Sequence, residues 1–170
     1  MRFVSMITLA AVTLLAMAAG LPSAGNAATD TVVTATSTVA LDFTTGRIWE
    51  DDEGVQHGRG IVLTYQVSGE AEGIPFTGTG TGEISWNTEL ATGNGDGFTK
   101  KDVYEITWGD LSGTFSGHAS WTATGGQNEG TFVHIGRGDF RQMKWEGSFT
   151  GAIGSVVTES VGQIHDAHGR

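Results

Sequence analysis

Residues 76–86 read FTGTGTGEISW, and the Thr-Gly repeats in the middle alternate with a period of two. That period constrains the fold more than any other feature of the chain. Successive side chains of a β-strand point to opposite faces. Thr77, Thr79, Thr81, Glu83 and Ser85 therefore share one face, and Phe76, Gly78, Gly80, Gly82, Ile84 and Trp86 share the other. A flexible linker has no need of β-branched threonine, and a helix would repeat its apolar residues every third or fourth position. Glycine on the apolar face removes the Cβ, which lets a strand bend sharply or lets a large ring approach the backbone.

The same parity recurs along the chain. Thr31–Phe43 aligns Val33, Ala35, Val39, Leu41 and Phe43, and residues 59–68 align Ile61, Leu63, Tyr65 and Val67. Residues 102–110 align Tyr104, Ile106 and Trp108, while 113–124 set Phe115, Gly117, Ala119 and Trp121 against Thr114, Ser116, His118, Ser120 and Thr122. Residues 143–153 align Met143, Trp145, Gly147, Phe149, Gly151 and Ile153, and shorter strands are expected at 131–135 and 156–164. The stretch ATGNGDG (91–97) reads as a turn-rich loop, because Asn-Gly and Asp-Gly both favour tight turns. About eight strands result, at the spacing of sandwiches and barrels. No helical stretch is available for parallel crossovers, so the sheet is expected to be antiparallel. Small barrels alternate large and small inward residues. The aromatic-plus-glycine face thus predicts an all-β, antiparallel closed barrel, with a β-sandwich as the alternative.

Composition narrows the class. The chain starts with one basic residue, Arg2, followed by an apolar run from Met6 to Ala19 and a small-residue exit through Ala27. This order is that of a secretory signal peptide over residues 1–27, and the run is shorter than the roughly 20 residues that span a bilayer. The expected location is secreted or periplasmic. Residues 28–164 then form one barrel domain, 165–170 a loose tail, and no membrane span is expected in the mature chain. Arg2 is the one charged residue before Asp30, which leaves eight Lys plus Arg against nineteen Asp plus Glu, a formal charge of −11. Nucleic acid is disfavoured as a partner, because phosphate binding needs clustered cations. The absence of cysteine excludes disulfides, thiol nucleophiles and Cys-ligated metals. Nothing in the sequence specifies an oligomeric state.

The block DVYEITWGDLSGTFSGHASWTATGG (102–126) runs from a tryptophan-bearing strand through a glycine-rich strand to a double-glycine turn. The segment HIGRGDFRQMKWEGSFTGAI (134–153) has a glycine-rich turn, an aromatic, then Gly-x-Phe-x-Gly. Together they resemble bacterial proteins with an allene oxide cyclase-like barrel, over roughly residues 58–153. The resemblance implies an eight-stranded antiparallel barrel. Its understood members are cyclases or isomerases acting on apolar molecules held inside, and many others have no known activity. No catalytic motif matches residue by residue, so no catalytic residue is carried over.

Motifs for phosphate loops, Ser-His-Asp triads and HExxH zinc sites are missing. An EF-hand alignment on Asp96-Gly97 puts Thr92 and Val103 where the key carboxylates belong, and the acidic run at 50–53 reads as a solvated loop. Neither a metal nor a cofactor is expected. The inner face is left as the candidate site. Tyr65 and Tyr104 would place hydroxyls toward the lumen, with Trp86, Trp108, Trp121 and Trp145 around them. A mostly apolar cavity with a few polar groups is how small-molecule sites are built. Non-enzymatic binding of a small apolar or amphipathic molecule is the leading expectation. A cofactor-free cyclase or isomerase using a tyrosine proton, and a structural or adhesive surface protein using the Thr/Ser face, are the alternatives.

Overall fold

The computed structural model describes residues 30–166, and the expected signal peptide and residues 167–170 lie outside them. Nine strands follow one another: β1 (Asp30–Asp42), β2 (Arg47–Glu50), β3 (Val55–Ala71), β4 (Ile74–Glu89), β5 (Asn94–Trp108), β6 (Leu111–Thr124), β7 (Gln127–Gly138), β8 (Met143–Ala152) and β9 (Val157–Asp166). Each of β3 to β8 pairs antiparallel with the next, β9 pairs with β8 and β1, and β1 pairs with β3. The ring therefore closes with eight strands, and closure pairs the edges that would otherwise recruit other chains, apart from the outer side of the short β2, which pairs with β3 alone. The barrel is shown, and the sandwich alternative is not.

The short β2 is not a ninth stave. It pairs with the first residues of β3, Arg47 opposite Arg59, while β1 pairs with the remainder from Asp42 opposite Val62. Together β1 and β2 form one stave, broken where Gly46 and Gly60 adopt φ of +64° and +69°. A Cβ on Gly46 would collide with the backbone of Arg59 and Gly60. Only glycine allows that crossing.

Glycine serves a different purpose at Asn94-Gly95-Asp96-Gly97, where the turn expected from the sequence does not form. Those residues open β5, and the chain turns earlier, at 90–93. The reason is packing: Gly97 lies under the Trp121 ring and Gly95 against the Asn87 carbonyl. Two other boundaries move as well. β3 starts at Val55, ahead of the strand expected at 59–68, so His57 is part of it. His165, expected in the tail, is paired in β9 opposite Asp30.

The strands run between two unlike ends. At the end holding the β3–β4, β5–β6 and β7–β8 turns, the barrel is plugged by Val33, Val67, Phe76, Ile106, Phe115, Met143 and Ile164. Phe140, from the β7–β8 turn, folds inward and stacks on Phe115 at 4.9 Å between ring centroids. Trp145 forms the partition above this plug. Its indole meets Phe76, Phe115 and Phe132 edge-on, at 6.0, 5.7 and 5.3 Å, an arrangement worth ~0.5–1.5 kcal/mol per pair beyond area burial.

Candidate functional site: an open lumen over a polar floor

Above Trp145 the barrel is hollow. A cavity of about 680 Å³ opens at the end that holds β2 and the β4–β5 and β8–β9 turns. Its existence depends on where glycines sit. Around the wall, register pairs alternate Gly58, Trp86, Gly97, Trp121, Gly130 and Phe149 on six consecutive strands. Each ring lies over the glycine of the preceding strand: Trp86 over Gly58, Trp121 over Gly97, Phe149 over Gly130. The rings hug the wall, and the axis stays empty.

Deeper, the Thr-Gly strand works the same way. Gly80 is flanked by Tyr65 on β3 and Tyr104 on β5. With no side chain between them the two phenol rings stack at 4.8 Å and 29°. Gly78 is covered by Ile106, and Gly82 is covered by Asp102. The inner wall left bare by this strand is filled by its neighbours' side chains, which settles what occupies that space.

Asp102 points inward because β5 carries a bulge. Lys100 and Lys101 both face outward, Lys101 at φ +57°, and the pairing register shifts on both sides, against β4 and against β6. Bulges re-aim side chains in this way. On the outside Glu83 bridges the two lysines at 2.7 and 3.0 Å, and Lys100 first, then Lys101, lowers its pKa. On the inside Asp102 is 1 % exposed. Its carboxyl accepts from the Tyr65 hydroxyl at 3.3 Å and from the Thr99 hydroxyl, which in turn accepts from the Ala119 N–H at 3.0 Å. Gly117 stands between Asp102 and His134 in the register, so the imidazole Nε2 comes within 3.7 Å of the carboxyl oxygen. Burial, ahead of the neighbouring groups, raises the pKa of both Tyr65 and Tyr104, so both phenols stay protonated far into alkali.

The residues picked out by parity fall in two places. Tyr65, Tyr104 and Trp145 form the cavity floor, and Trp86 and Trp121 its wall. Trp108 belongs to the closed end instead, beside Phe76 and Ile106. Sequence reading missed Thr99, Asp102 and His134. Asp102 shares parity with Tyr104 and opens the strand expected at 102–110, so the period of two was enough to find it. His134 shares parity with Phe132, but nothing in the sequence ranks that face above the one carrying Val133 and Ile135. Among the described residues no group of three or more His, Asp or Glu side chains could hold a metal ion.

The mouth is apolar at its lip. Phe43, Ile48, Leu90, Ile153 and Val156 are all exposed and all border the opening. Just outside, Asp51 closes the β2–β3 turn by accepting from the Glu53 and Val55 N–H groups. His57 donates through Nε2 to Asp51 and through Nδ1 to Asn87, each at 2.9 Å. Acceptors at both nitrogens favour the imidazolium, so the Asp51 bond first and the Asn87 bond second raise the His57 pKa above 6.5. The His57 bond, followed by the Val55 N–H, holds Asp51 below 3.8. The His57 contribution is complete below its unfolded value and is lost as pH rises through the raised folded value. The Asp51 contribution is present above its unfolded value and is lost as pH falls through the depressed one. The turn is thus most stable between those limits. An NMR titration should show His57 titrating above 6.5, and Asp51→Asn should bring it back toward that value; an unmoved His57 would contradict the assignment.

Comparison with protein-family models, with curated proteins and with solved structures finds no match for this chain, so its functional reading rests on its own residues and geometry.

Proposed function

We propose that this protein is an exported, non-enzymatic binder that holds one small apolar or amphipathic molecule in the barrel lumen. The observation that supports the reading is the cavity itself. At about 680 Å³ it falls inside the ~300–1,000 Å³ range of small-molecule sites. Its walls are dominated by Trp86, Trp121, Phe132, Phe149, Ile84 and Leu63, and polar residues, among them Gln56, Asp96, Thr99 and Asn128, make the smaller part of the lining. A barrel of eight strands can be filled by side chains or can hold a ligand, and here the filling stops at Trp145. An apolar occupant would gain ~25 cal/mol for each Å² it removes from water. The lip of exposed aliphatic and aromatic side chains would give such a molecule an apolar path inward.

Native mass spectrometry of the protein purified from its own secretion route tests this. The expected result is one added mass per barrel, released by organic solvent. A barrel recovered empty, which also takes up no apolar molecule added in excess, would overturn the reading.

A further inference from the structure

The barrel wall is left open in one place. β9 runs beside β1 only up to the Thr38–Val157 pair, and the Val39 N–H bond to the Val156 carbonyl ends that seam. From Ala40 to Glu50 the stave built by β1 and β2 pairs with β3 alone. The rest of the rim is stitched from turn to turn. The Leu90 N–H donates to the Gly54 carbonyl, the Gly126 N–H to Gly93, and the Ile153 N–H to Gly126. Among the described residues no such bond joins the β8–β9 turn to β2, and a gap remains between them. Phe43 and Ile48 stand on one side of it, Ile153 and Val156 on the other; all four are exposed and line the cavity. The backbone of β2 is open toward this gap. The Asp51 N–H bonds to the Val55 carbonyl, and antiparallel partners exchange hydrogen bonds at every second residue. Trp49 and Arg47 therefore turn their amides to His57 and Arg59 across the β2–β3 pairing, and Ile48 and Glu50 turn theirs to the gap. Natural edges are guarded by Lys, Pro or bulges. The middle of β2 has none of these, only Ile48 and Trp49, which are 42 % and 38 % exposed.

We propose that the gap is a strand-addition site for an extended segment of a partner protein, apolar at alternate positions and carrying Lys or Arg at one end. Such a segment pairs with the free amides of Ile48 and Glu50, and its period of two sends every second side chain inward against Ile48, Ile153 and Val156. Charge sets the basic end. β2 leads into Glu50, Asp51, Asp52 and Glu53. Asp51 is tied to His57, whereas Glu50, Asp52 and Glu53 form no ion pair among the described residues. Arg47 and Arg59 sit over Trp49, toward the other end of β2. The same charge disfavours the other occupants of an apolar lip. Two acidic rims of a second copy would repel, as would an anionic lipid surface. A neutral bilayer has no strand to pair with the edge.

The test uses a fluorescein-labelled peptide of alternating Val and Thr that ends in two lysines. Fluorescence anisotropy at low salt should show saturable one-to-one binding to the barrel. Exchanging the lysines for glutamates should weaken it at least about tenfold. Two further peptides carry N-methyl groups on the valines or on the threonines. An added strand turns one of these sets of amides to β2, so at least one isomer should bind about tenfold more weakly than the parent or worse. Ile48→Pro removes an N–H that β3 does not use, and should weaken the parent peptide at least about fivefold, with Ile48→Val within about twofold. Circular dichroism checks that both variants fold. No saturable binding, both methylated isomers binding like the parent, or the glutamate peptide binding as well as the lysine one would overturn the strand-addition site. Sedimentation of the barrel with phosphatidylcholine vesicles, or a dimer in ultracentrifugation, in place of peptide binding would overturn it too and assign the lip to a bilayer or a second copy. Uptake of the neutral apolar dye N-phenyl-naphthylamine reports the lumen separately. A barrel that takes dye but no peptide overturns this site alone, and one that takes peptide but no apolar molecule overturns the lumen reading alone.

Discussion

Gly80→Val is expected to destabilise the barrel by about 2–3 kcal/mol, although valine is among the best strand formers. The reason lies in the pair that Gly80 separates. A Cβ built there falls 2.6 Å from the Val103 carbonyl oxygen and 3.0 Å from the Tyr104 ring. The first is backbone of the neighbouring strand and cannot swing aside, so β4 and β5 must part or the Tyr65–Tyr104 stack must break. Either also disturbs Asp102, which accepts from Tyr65. Thr79→Val is the control: Thr79 is exposed, and surface changes of this kind stay within about 0.5 kcal/mol. Denaturant unfolding of the two variants decides the matter. A Gly80→Val barrel as stable as the wild type would mean that the inner wall is not packed as described.

How much of this could be read from residues alone follows from what a period of two encodes. It fixes which side of the wall a side chain faces, and on that basis Tyr65, Trp86, Tyr104, Trp121 and Trp145 all face inward as expected. It does not fix height along the barrel. Trp108 and Trp121 have equivalent parity on adjacent strands, yet Trp108 joins the plug and Trp121 the open wall. Neither strand's pattern says where the plug stops. The upper limit is Trp145, and the closed end is completed by Phe140, a turn residue that no strand periodicity reports. Parity also fails at a bulge. The two outward lysines at 100 and 101 reset the count, so Thr99 and Asp102 are both inward although three residues apart. Glycine is ambiguous in a similar way. Asn94-Gly95-Asp96-Gly97 has the composition of a turn, but its glycines serve as seats for rings and backbone from other strands. That use depends on long-range pairs such as Gly97 with Trp121, and a local pattern cannot contain them.

The central claim is that the barrel is hollow above Trp145 and that the hollow binds. Ala119 lies on the inner face of β6, between Thr99 of β5 and Phe132 of β7, and borders the cavity just above the floor. Ala119→Trp projects an indole into empty space and leaves the Ala119 N–H bond to Thr99 untouched. Because the added volume meets a void and not a packed neighbour, stability should change by less than about 1.5 kcal/mol. The most direct measurement is a fluorescence titration of wild type and Ala119→Trp with N-phenyl-naphthylamine. The account predicts saturable one-to-one binding by the wild type and at least about a tenfold loss of affinity, or ~1.4 kcal/mol, in the variant, with both barrels folded. Equal binding by the two folded proteins, or no saturable binding by the wild type, would contradict it.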